Sequence, residues 1–277
     1  MPELPEVETL VQSLRPYLEN SKISQAIFLR KDLREKIPIQ SFNKIIVGKK
    51  IHEVFRRSKY ILIRTDLGFA LIHLGMSGRL LKESSDEIRA KHTHAIFIVQ
   101  TNKNKKIFLH YIDPRRFGMI DTYQGQSWDL HPRLNTLGKE PLSTKQLGLY
   151  LWEKSRNRNV AIKMFLMNAN IVVGIGNIYC CEALFMAGIS PLKEVKKLNL
   201  DEYKKLSNCI KKVLKKAINA GGTTLKDFFS VENEKGYFSV EMKVYGRSGQ
   251  ACVLCKKTLK HISQAGRSTW FCSRCQK

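Results

Sequence analysis

The sequence predicts an α+β protein, with an N-terminal antiparallel β-sandwich or barrel and flanking helices, then a helical region and a cysteine-rich tail. Residues 22 to 123 contain short segments rich in β-branched and aromatic residues, separated by turn signals. From residue 160 to 220, apolar residues recur at three- and four-residue spacing. Two Cys-x2-Cys pairs follow near the C-terminus.

The first element is predicted to be a helix packed across the strands. Pro5 suits a first helical position, and Glu6 and Glu8 favour the positive N-terminal end of a helix. Apolar residues then recur at helical spacing at Val7, Leu10, Val11, Leu14 and Leu18.

Strands and later helices are predicted from periodicity and turn residues. The strands are Lys22 to Arg30, Ile51 to Arg57, Tyr60 to Thr65, Phe69 to Leu74, Ala95 to Gln100 and Ile107 to Ile112. The helices are Val160 to Met167, Ile178 to Ala187 and Leu200 to Ala220, the last ending at Gly221-Gly222. Pro132, Gly138, Pro141 and Gly148 indicate a connection between domains. The predicted division is therefore a β domain at 1–132, a linker at 133–152, a helical domain at 153–240 and a metal-binding finger at 241–277.

The charge of the chain indicates a polyanionic partner. Lys and Arg total 48 against 24 acidic residues, which gives a formal net charge of +24. Such an excess favours nucleic acid, because Lys and Arg gain affinity for phosphates by releasing counterions. The alternative is generic basicity. The sequence has no apolar run long enough for a membrane span and no secretory signal, so a cytoplasmic protein with no membrane partner is expected.

Four cysteines have the spacing of a zinc site: Cys252, Cys255, Cys272 and Cys275. Two Cys-x2-Cys turns can each offer two thiolates to one tetrahedral ion, so one structural Zn²⁺ is predicted. A pair of disulfides is the alternative, but a cytoplasmic compartment disfavours it. Cys180, Cys181 and Cys209 lie in apolar helical patterns and are expected to be buried, inert thiols.

The extreme N-terminus carries a candidate nucleophile. If Met1 is removed, Pro2 becomes a free secondary amine, and an α-amino group titrates near pH ~8, so part of it is unprotonated at neutral pH. Such an amine can attack a sugar aldehyde carbon and form an iminium. Glu3 lies beside it as a candidate proton donor and acceptor. The alternative is that these residues merely begin a helix.

Three loops are candidates for contact with nucleic acid. Residues 72 to 78 contain glycines that flank Met76, and residues 113 to 118 contain two arginines and Phe117. An exposed Met or Phe on a basic surface can enter a base step and kink a duplex, whereas a core position is the alternative for each. Residues 173 to 177 contain two glycines before a helix, where backbone amides can face a phosphate.

Seven motifs, taken in order, resemble those of the formamidopyrimidine-DNA glycosylase family. They are PELPEVE, RRSKY at 56–60, HLGMSG, DPRRFG, GIGNIY, GGTTLKDF and the terminal finger with GRST at 266–269. The resemblance covers essentially the whole chain. It implies a helix-two-turn-helix domain, a β-hairpin zinc finger, and double-stranded DNA with oxidised bases or abasic sites as the partner.

The resemblance also implies residue roles. Pro2 is similar to the family's nucleophile, Glu3 to the acid that assists opening of the sugar ring, Lys59 to the β-elimination lysine and Arg267 to the δ-elimination arginine. The residues it implies for DNA binding are Glu6, Met76, His92, Arg115, Phe117, Asn159, Asn177, and Lys226 with the loop that follows to residue 237.

Some positions depart from the family pattern. Asn159 occupies a position where the family tends to have a basic residue, although Arg156 and Arg158 lie nearby. Asn168 stands where Asp is usual, and Ser58 replaces a Gly or Ala before Lys59. These departures predict altered affinity or rate without loss of the chemistry.

The resemblance therefore predicts a glycosylase that removes oxidised purines and cleaves the strand, as a monomer associated with the nucleoid. Two alternatives are open: an endonuclease VIII-type enzyme for oxidised pyrimidines, and a non-catalytic zinc-finger protein that binds bent DNA. The second has no use for a free Pro2 amine, so processing of Met1 distinguishes it.

Overall fold

A computed structural model describes residues 2–87, 90–223, 231 and 238–277. The chain divides into two compact units, Met1–Asn135 with Ala220–Tyr237, and Thr136–Asn219 with Phe238–Lys277. The division between the units after Asn135 lies close to the boundary predicted at residue 132. Residues 220 to 237, which the sequence assigned to the helical domain, group with the first unit instead.

The first unit contains two four-stranded antiparallel sheets with strand orders β1-β6-β7-β5 and β2-β3-β4-β8. Its elements are α1 (Leu4–Leu18), β1 (Lys22–Phe28), α2 (Ile39–Ile45), β2 (Glu53–Arg57), β3 (Tyr60–Thr65), β4 (Gly68–His73), β5 (Arg79–Glu83), β6 (Thr93–Gln100), β7 (Lys106–Ile112) and β8 (Met119–Gln124).

The core of this unit is shared by both sheets and by α1. The five apolar α1 residues that the sequence singled out are at most 1% exposed, and they join side chains of both sheets in one cluster. Burial of a stripe at helical spacing is what packs α1 against the strands. Two separate sheets around one core form a sandwich, which decides against the barrel.

Three elements of this unit were missed by periodicity. The strand β5 carries Arg79 and Lys82 among its five residues, β8 begins directly after Gly118, and α2 spans seven residues after Pro38. Each is short or polar, and the two strands have hydrogen-bonding partners that lie far away in sequence. Pairing with β7, for β5, and with β4, for β8, therefore fixes strands that local propensity does not indicate.

The second unit is helical and ends in a hairpin. It contains α3 (Leu147–Ser155), α4 (Ile162–Leu166), α5 (Asn177–Ala187), α6 (Leu200–Asn219), β9 (Lys260–Gln264) and β10 (Arg267–Phe271). The linker predicted at 133–152 overlaps α3 from Leu147 onward, and Gly148 lies inside this helix. A Cβ on Gly148 would be 2.8 Å from the Cα of Lys204, so this glycine permits close packing of α3 on α6.

A hairpin forms the C-terminal finger. Ala265 and Gly266 connect β9 to β10 with φ values of 47° and 71°, as a two-residue type I′ turn requires. Upstream, the buried carboxylate of Glu182 on α5 accepts the backbone N–H groups of Lys243, Val244 and Tyr245 at 2.8–2.9 Å. In the part of the chain that the structure describes, no helix has the length and apolarity needed to cross a bilayer.

Candidate active site

The N-terminus of α1 holds the proposed nucleophile in a fixed position. Pro2 is buried, and Glu3 and Glu6 are each 2% exposed. Glu3 and Glu6 form a reciprocal capping box, in which the Glu6 carboxylate accepts the Glu3 backbone N–H at 2.7 Å. The other Glu6 oxygen accepts the backbone N–H of Thr223 at 2.9 Å. The helix cap therefore fixes Glu3 next to Pro2 and ties Glu6 to a segment distant in sequence.

Lys59 lies in the two-residue turn between β2 and β3. Arg57 pairs with Tyr60 at the last rung of the hairpin, which leaves Ser58 and Lys59 as the turn. Ser58 has a φ of 57°, in the left-handed region that favours glycine. Ser58 therefore places a side chain at a position where the backbone conformation favours glycine, which is one of the two residues of the family pattern.

His73, at the end of β4, packs beside this turn. Its ring centroid lies 4.9 Å from that of Tyr60, and its Nδ1 accepts the backbone N–H of Gly75 at 3.0 Å. Burial, helped by the charges of Lys59 and Arg34, lowers the pKa of His73 to about 4. The imidazole is therefore neutral near pH 7, and it links the Lys59 turn to the loop that carries Met76.

Met76 and Phe117 are surface residues. Their exposed fractions are 37% and 45%, which decides against the core alternative for both. The guanidinium of Arg115 lies 4.7 Å from the centre of the Phe117 ring. Both loops belong to the first unit, and a Cβ on Gly75 would lie 2.3 Å from the carbonyl carbon of Phe117, so their backbones are in contact. The three residues implied by the resemblance therefore lie on two loops that are in contact.

Asp113, for which no role is predicted from the sequence, organises these two loops. It is fully buried, and its carboxylate accepts Ser77 Oγ at 2.6 Å, the Gly118 N–H at 2.8 Å and the Arg115 N–H at 3.3 Å. Its backbone N–H donates to the carbonyl of His92 at 3.1 Å. The carboxylate of Asp113 therefore links the Met76 loop to the Arg115 loop, and its backbone N–H adds a link to the backbone of His92. In the sequence, Asp113 is the residue before Pro114, and its neighbours do not indicate this role.

His92 is exposed, with a φ of 72°. The next histidine, His94, is buried and its Nε2 contacts the carbonyl of Asp113 at 2.9 Å. Of the two, His92 is the exposed one, and its DNA-binding role stays a prediction. Asn159 is also exposed, between Arg158 and the exposed Val160.

Asn177 and Arg267 belong to the second unit. Asn177 begins α5, and its Nδ2 donates to the backbone carbonyl of Ser268 at 2.9 Å, while its Oδ1 is buried without a hydrogen-bond partner among the described residues. Arg267 is exposed beside the hairpin turn. Lys163, which sequence patterns did not single out, is fully buried and donates to the Ser268 carbonyl at 2.9 Å and to Thr269 Oγ1 at 2.6 Å. The strand that carries Arg267 is therefore tied to α4 and α5.

Lys226 lies outside the described residues. So does the loop predicted to follow it to residue 237, with the exception of Val231, which is buried in the core of the first unit. The backbone N–H of Lys82 donates to the Val231 carbonyl at 2.9 Å.

The four predicted cysteines converge. Their Sγ atoms all lie within 4.8 Å of one another, with Cys252 and Cys275 at 3.8 Å and Cys255 and Cys272 at 3.5 Å. A tetrahedral zinc ion with Zn–S bonds of about 2.3 Å places its sulfurs roughly 3.8 Å apart. The arrangement fits one structural zinc and not two disulfides. The other three cysteines are buried, as predicted, and Cys181 packs in the same core cluster as Cys252 and Cys272.

A β-sandwich whose first helix begins with a capping box directly behind Pro2, exposed Met76 and Phe117 on loops beside Arg115, and a hairpin with a four-cysteine cluster together define a DNA-processing protein. Family models match most of the chain: the formamidopyrimidine-DNA glycosylase N-terminal domain at residues 1–120, its H2TH domain at 137–229, and the zinc finger found in FPG and IleRS at 249–277. The chain therefore belongs to the formamidopyrimidine-DNA glycosylase family.

Individual relatives agree over the full length. The formamidopyrimidine-DNA glycosylase of Legionella pneumophila (strain Paris) is 44% identical over 276 residues, which cover 100% of this chain and 98% of the relative. A Lactococcus lactis FPG mutant in complex with Fapy-dG-containing DNA superimposes with a TM-score of 0.89 and 30% identity, covering 100% of both chains. The Lactococcus lactis Fpg in complex with abasic-site DNA gives 0.88 and 30%, covering 99% of both.

These matches favour a base-excision repair DNA glycosylase over the endonuclease VIII-type enzyme and over a DNA-binding protein without catalysis. Abasic-site lyase activity through an N-terminal proline is a feature of this family.

Proposed function

We propose that this chain removes oxidised purines, such as 8-oxoguanine and formamidopyrimidines, from double-stranded DNA and then cleaves the strand, with the Pro2 amine as nucleophile. The observation that carries this proposal is the buried position of Pro2 immediately before the Glu3–Glu6 capping box. A rigid helix terminus holds a nucleophile and a carboxyl group side by side, which is the positioning that a covalent mechanism requires.

The steps follow from the chemistry of an amine at a sugar carbon. The Pro2 nitrogen attacks C1′, the C1′–base bond breaks, and Glu3 supplies a proton to the ring oxygen as the sugar opens. The resulting iminium makes the C2′ hydrogen acidic. Loss of this proton expels the phosphate on C3′, with Lys59 as the assisting group. A second elimination, assisted by Arg267, removes a proton from C4′, and the C5′–O bond breaks as the phosphate on C5′ leaves with its electrons.

Substrate access requires the damaged nucleotide to leave the stack. Met76 and Phe117 are exposed apolar side chains that can fill the gap, at a cost of about a few kcal/mol for unstacking a base step, and Arg115 can face the orphaned cytosine. His92, Asn159, Asn177 and Lys226 are the proposed phosphate and nucleotide contacts, and Glu6 is the second carboxylate near the flipped nucleotide.

Borohydride trapping on an 8-oxoguanine:cytosine duplex tests the proposal. The processed protein should give a covalent adduct that maps to Pro2, whereas a form that retains Met1 should give none. Pro2→Gly keeps a terminal amine and should retain a weak signal. Pro5→Ala is the matched control, because it removes the neighbouring proline of the same helix terminus but leaves the amine intact. Tight binding without adduct or strand cleavage on any oxidised base would overturn the proposal.

We also propose that the chain acts as a monomer associated with the nucleoid in the cytoplasm. Its net charge of +24 supports sequence-independent attraction to DNA. Sedimentation of the free protein should give the mass of one chain, and co-sedimentation with undamaged DNA should decrease as salt increases. A stable dimer, or binding independent of salt, would contradict this.

A further inference from the structure

Arg56 connects the helix that carries Pro2 to the turn that carries Lys59. Its Nε donates to the carboxylate of Glu8 on α1 at 2.8 Å, and its Nη1 donates to the backbone carbonyl of Ser58 at 2.9 Å. The Arg56 side chain is 7% exposed and that of Glu8 is 18% exposed. Arg56 belongs to the RRSKY motif, in which only Lys59 was given a role.

The two contacts use a property that is specific to arginine. A guanidinium presents several N–H groups in a rigid planar fork, so one side chain can meet two fixed acceptors on different elements. The Glu8 contact is charge-assisted and shielded from water, which makes it stronger than a surface ion pair. The second contact fixes the carbonyl of Ser58, a residue with a left-handed φ whose peptide leads directly into Lys59.

The nucleophile has anchors of its own. The capping box of Glu3 and Glu6, and the bond from Thr223 to Glu6, fix the start of α1 independently of Arg56. A change at Arg56 should therefore displace Lys59 more than Pro2.

We infer that Arg56, held by Glu8, is a positioning residue for Lys59 in the strand-cleavage step; this inference rests on the proposed function. In that step, a proton leaves C2′ of the Pro2 iminium and is taken up by the Lys59 amine. The C–H electron pair forms the new double bond, the C3′–O bond breaks, and phosphate leaves with that bond's electrons. A displacement of about 1 Å in a group that transfers the proton can cost on the order of 100-fold in rate.

The test separates imine formation from elimination in Arg56→Lys and Glu8→Gln. Lysine keeps the charge but cannot span both acceptors, and glutamine keeps an acceptor but loses the charge. Arg15→Lys is the matched control, because Arg15 also ties α1 to β2, donating to the Val54 carbonyl at 2.9 Å, away from the turn. Each protein is given a duplex with one abasic site, and two single-turnover rates are measured: borohydride trapping, and strand cleavage without alkali. Thermal unfolding checks that each variant is folded.

Arg56→Lys should lower the cleavage rate by roughly 10- to 100-fold and the trapping rate by less than about twofold, so that the trapped fraction increases. Glu8→Gln should give the same split, smaller in size, and Arg15→Lys should change neither rate. The inference is overturned if cleavage and trapping fall in parallel in both variants, or if neither falls. If the unmodified protein forms no adduct with abasic DNA, the proposed function itself fails, and that result appears before any variant is compared.

Discussion

His73 is the residue whose ionisation should most clearly affect stability. Burial lowers its pKa to about 4 in the folded chain, against an ordinary value of 6.5. As the pH falls through the window between these two pKa values, the unfolded chain binds a proton that the folded chain does not, so the free energy of unfolding decreases with decreasing pH. The shift corresponds to at most about 3 kcal/mol, reached near the lower end of the window.

His73→Asn tests this, because its Oδ1 can replace Nδ1 as the acceptor for Gly75 but does not titrate. Its free energy of unfolding, from denaturant titrations at about pH 5 and about pH 7, should differ less between the two conditions than that of the unmodified chain. His261→Asn, at an exposed histidine, should keep the original difference. Equal pH dependence in His73→Asn and the unmodified chain would show that His73 is not the cause.

Between elements, Asp113 should matter more than its place in a loop suggests. In Asp113→Asn, one acceptor oxygen remains and an NH2 group replaces the other, so either the Ser77 O–H or the Gly118 N–H loses its acceptor. We expect a loss of about 2–4 kcal/mol in the free energy of unfolding, because buried donors are left without acceptors. Affinity for lesion-containing DNA should also decrease, since Met76 and Phe117 lose their common support. Ser77→Ala removes one donor and should cost less; an equal or greater cost would contradict this account.

The packing of α3 on α6 leads to a second prediction, which concerns Gly148 in α3. Ala is the better helix former by about 1 kcal/mol, so propensity alone predicts that Gly148→Ala stabilises the chain. The new Cβ would lie 2.8 Å from backbone of α6, and such overpacking costs typically 1–3 kcal/mol. We therefore expect net destabilisation in chemical denaturation. An increase in stability would mean that α3 and α6 separate easily.

Gly148 and Asp113 also show where sequence-based prediction stops. Patterns repeated over many residues were read correctly: the stripe on α1, the long helix α6 and the cysteine pairs. Gly148 resembled a loop residue because the α6 backbone it faces is over 50 positions away in sequence. The same limit applies to Lys163, whose acceptors Ser268 and Thr269 belong to another element. Local composition does not show which residues, distant in sequence, a side chain or backbone will contact.

For the whole molecule, zinc should determine whether the finger is folded. The four Sγ atoms lie within 4.8 Å of one another, and structural zinc contributes about 10–16 kcal/mol in finger peptides near pH 7. Removing zinc with a chelator should unfold the β9–β10 hairpin and so displace Arg267. Trp270 packs on Tyr245 with ring centroids 4.3 Å apart, so its fluorescence should report the loss.

Cys252→Ser should bind zinc weakly and lower affinity for abasic DNA, whereas Cys209→Ser, at a buried cysteine outside the cluster, should keep one zinc per chain. Borohydride trapping and strand cleavage distinguish the chemistry of the first unit from that of the finger. Pro2, Glu3 and Lys59 belong to the first unit, so at saturating DNA the zinc-free protein should still form the covalent adduct, while the second elimination, which depends on Arg267, should be lost. Retention of δ-elimination without zinc would show that Arg267 does not perform that step.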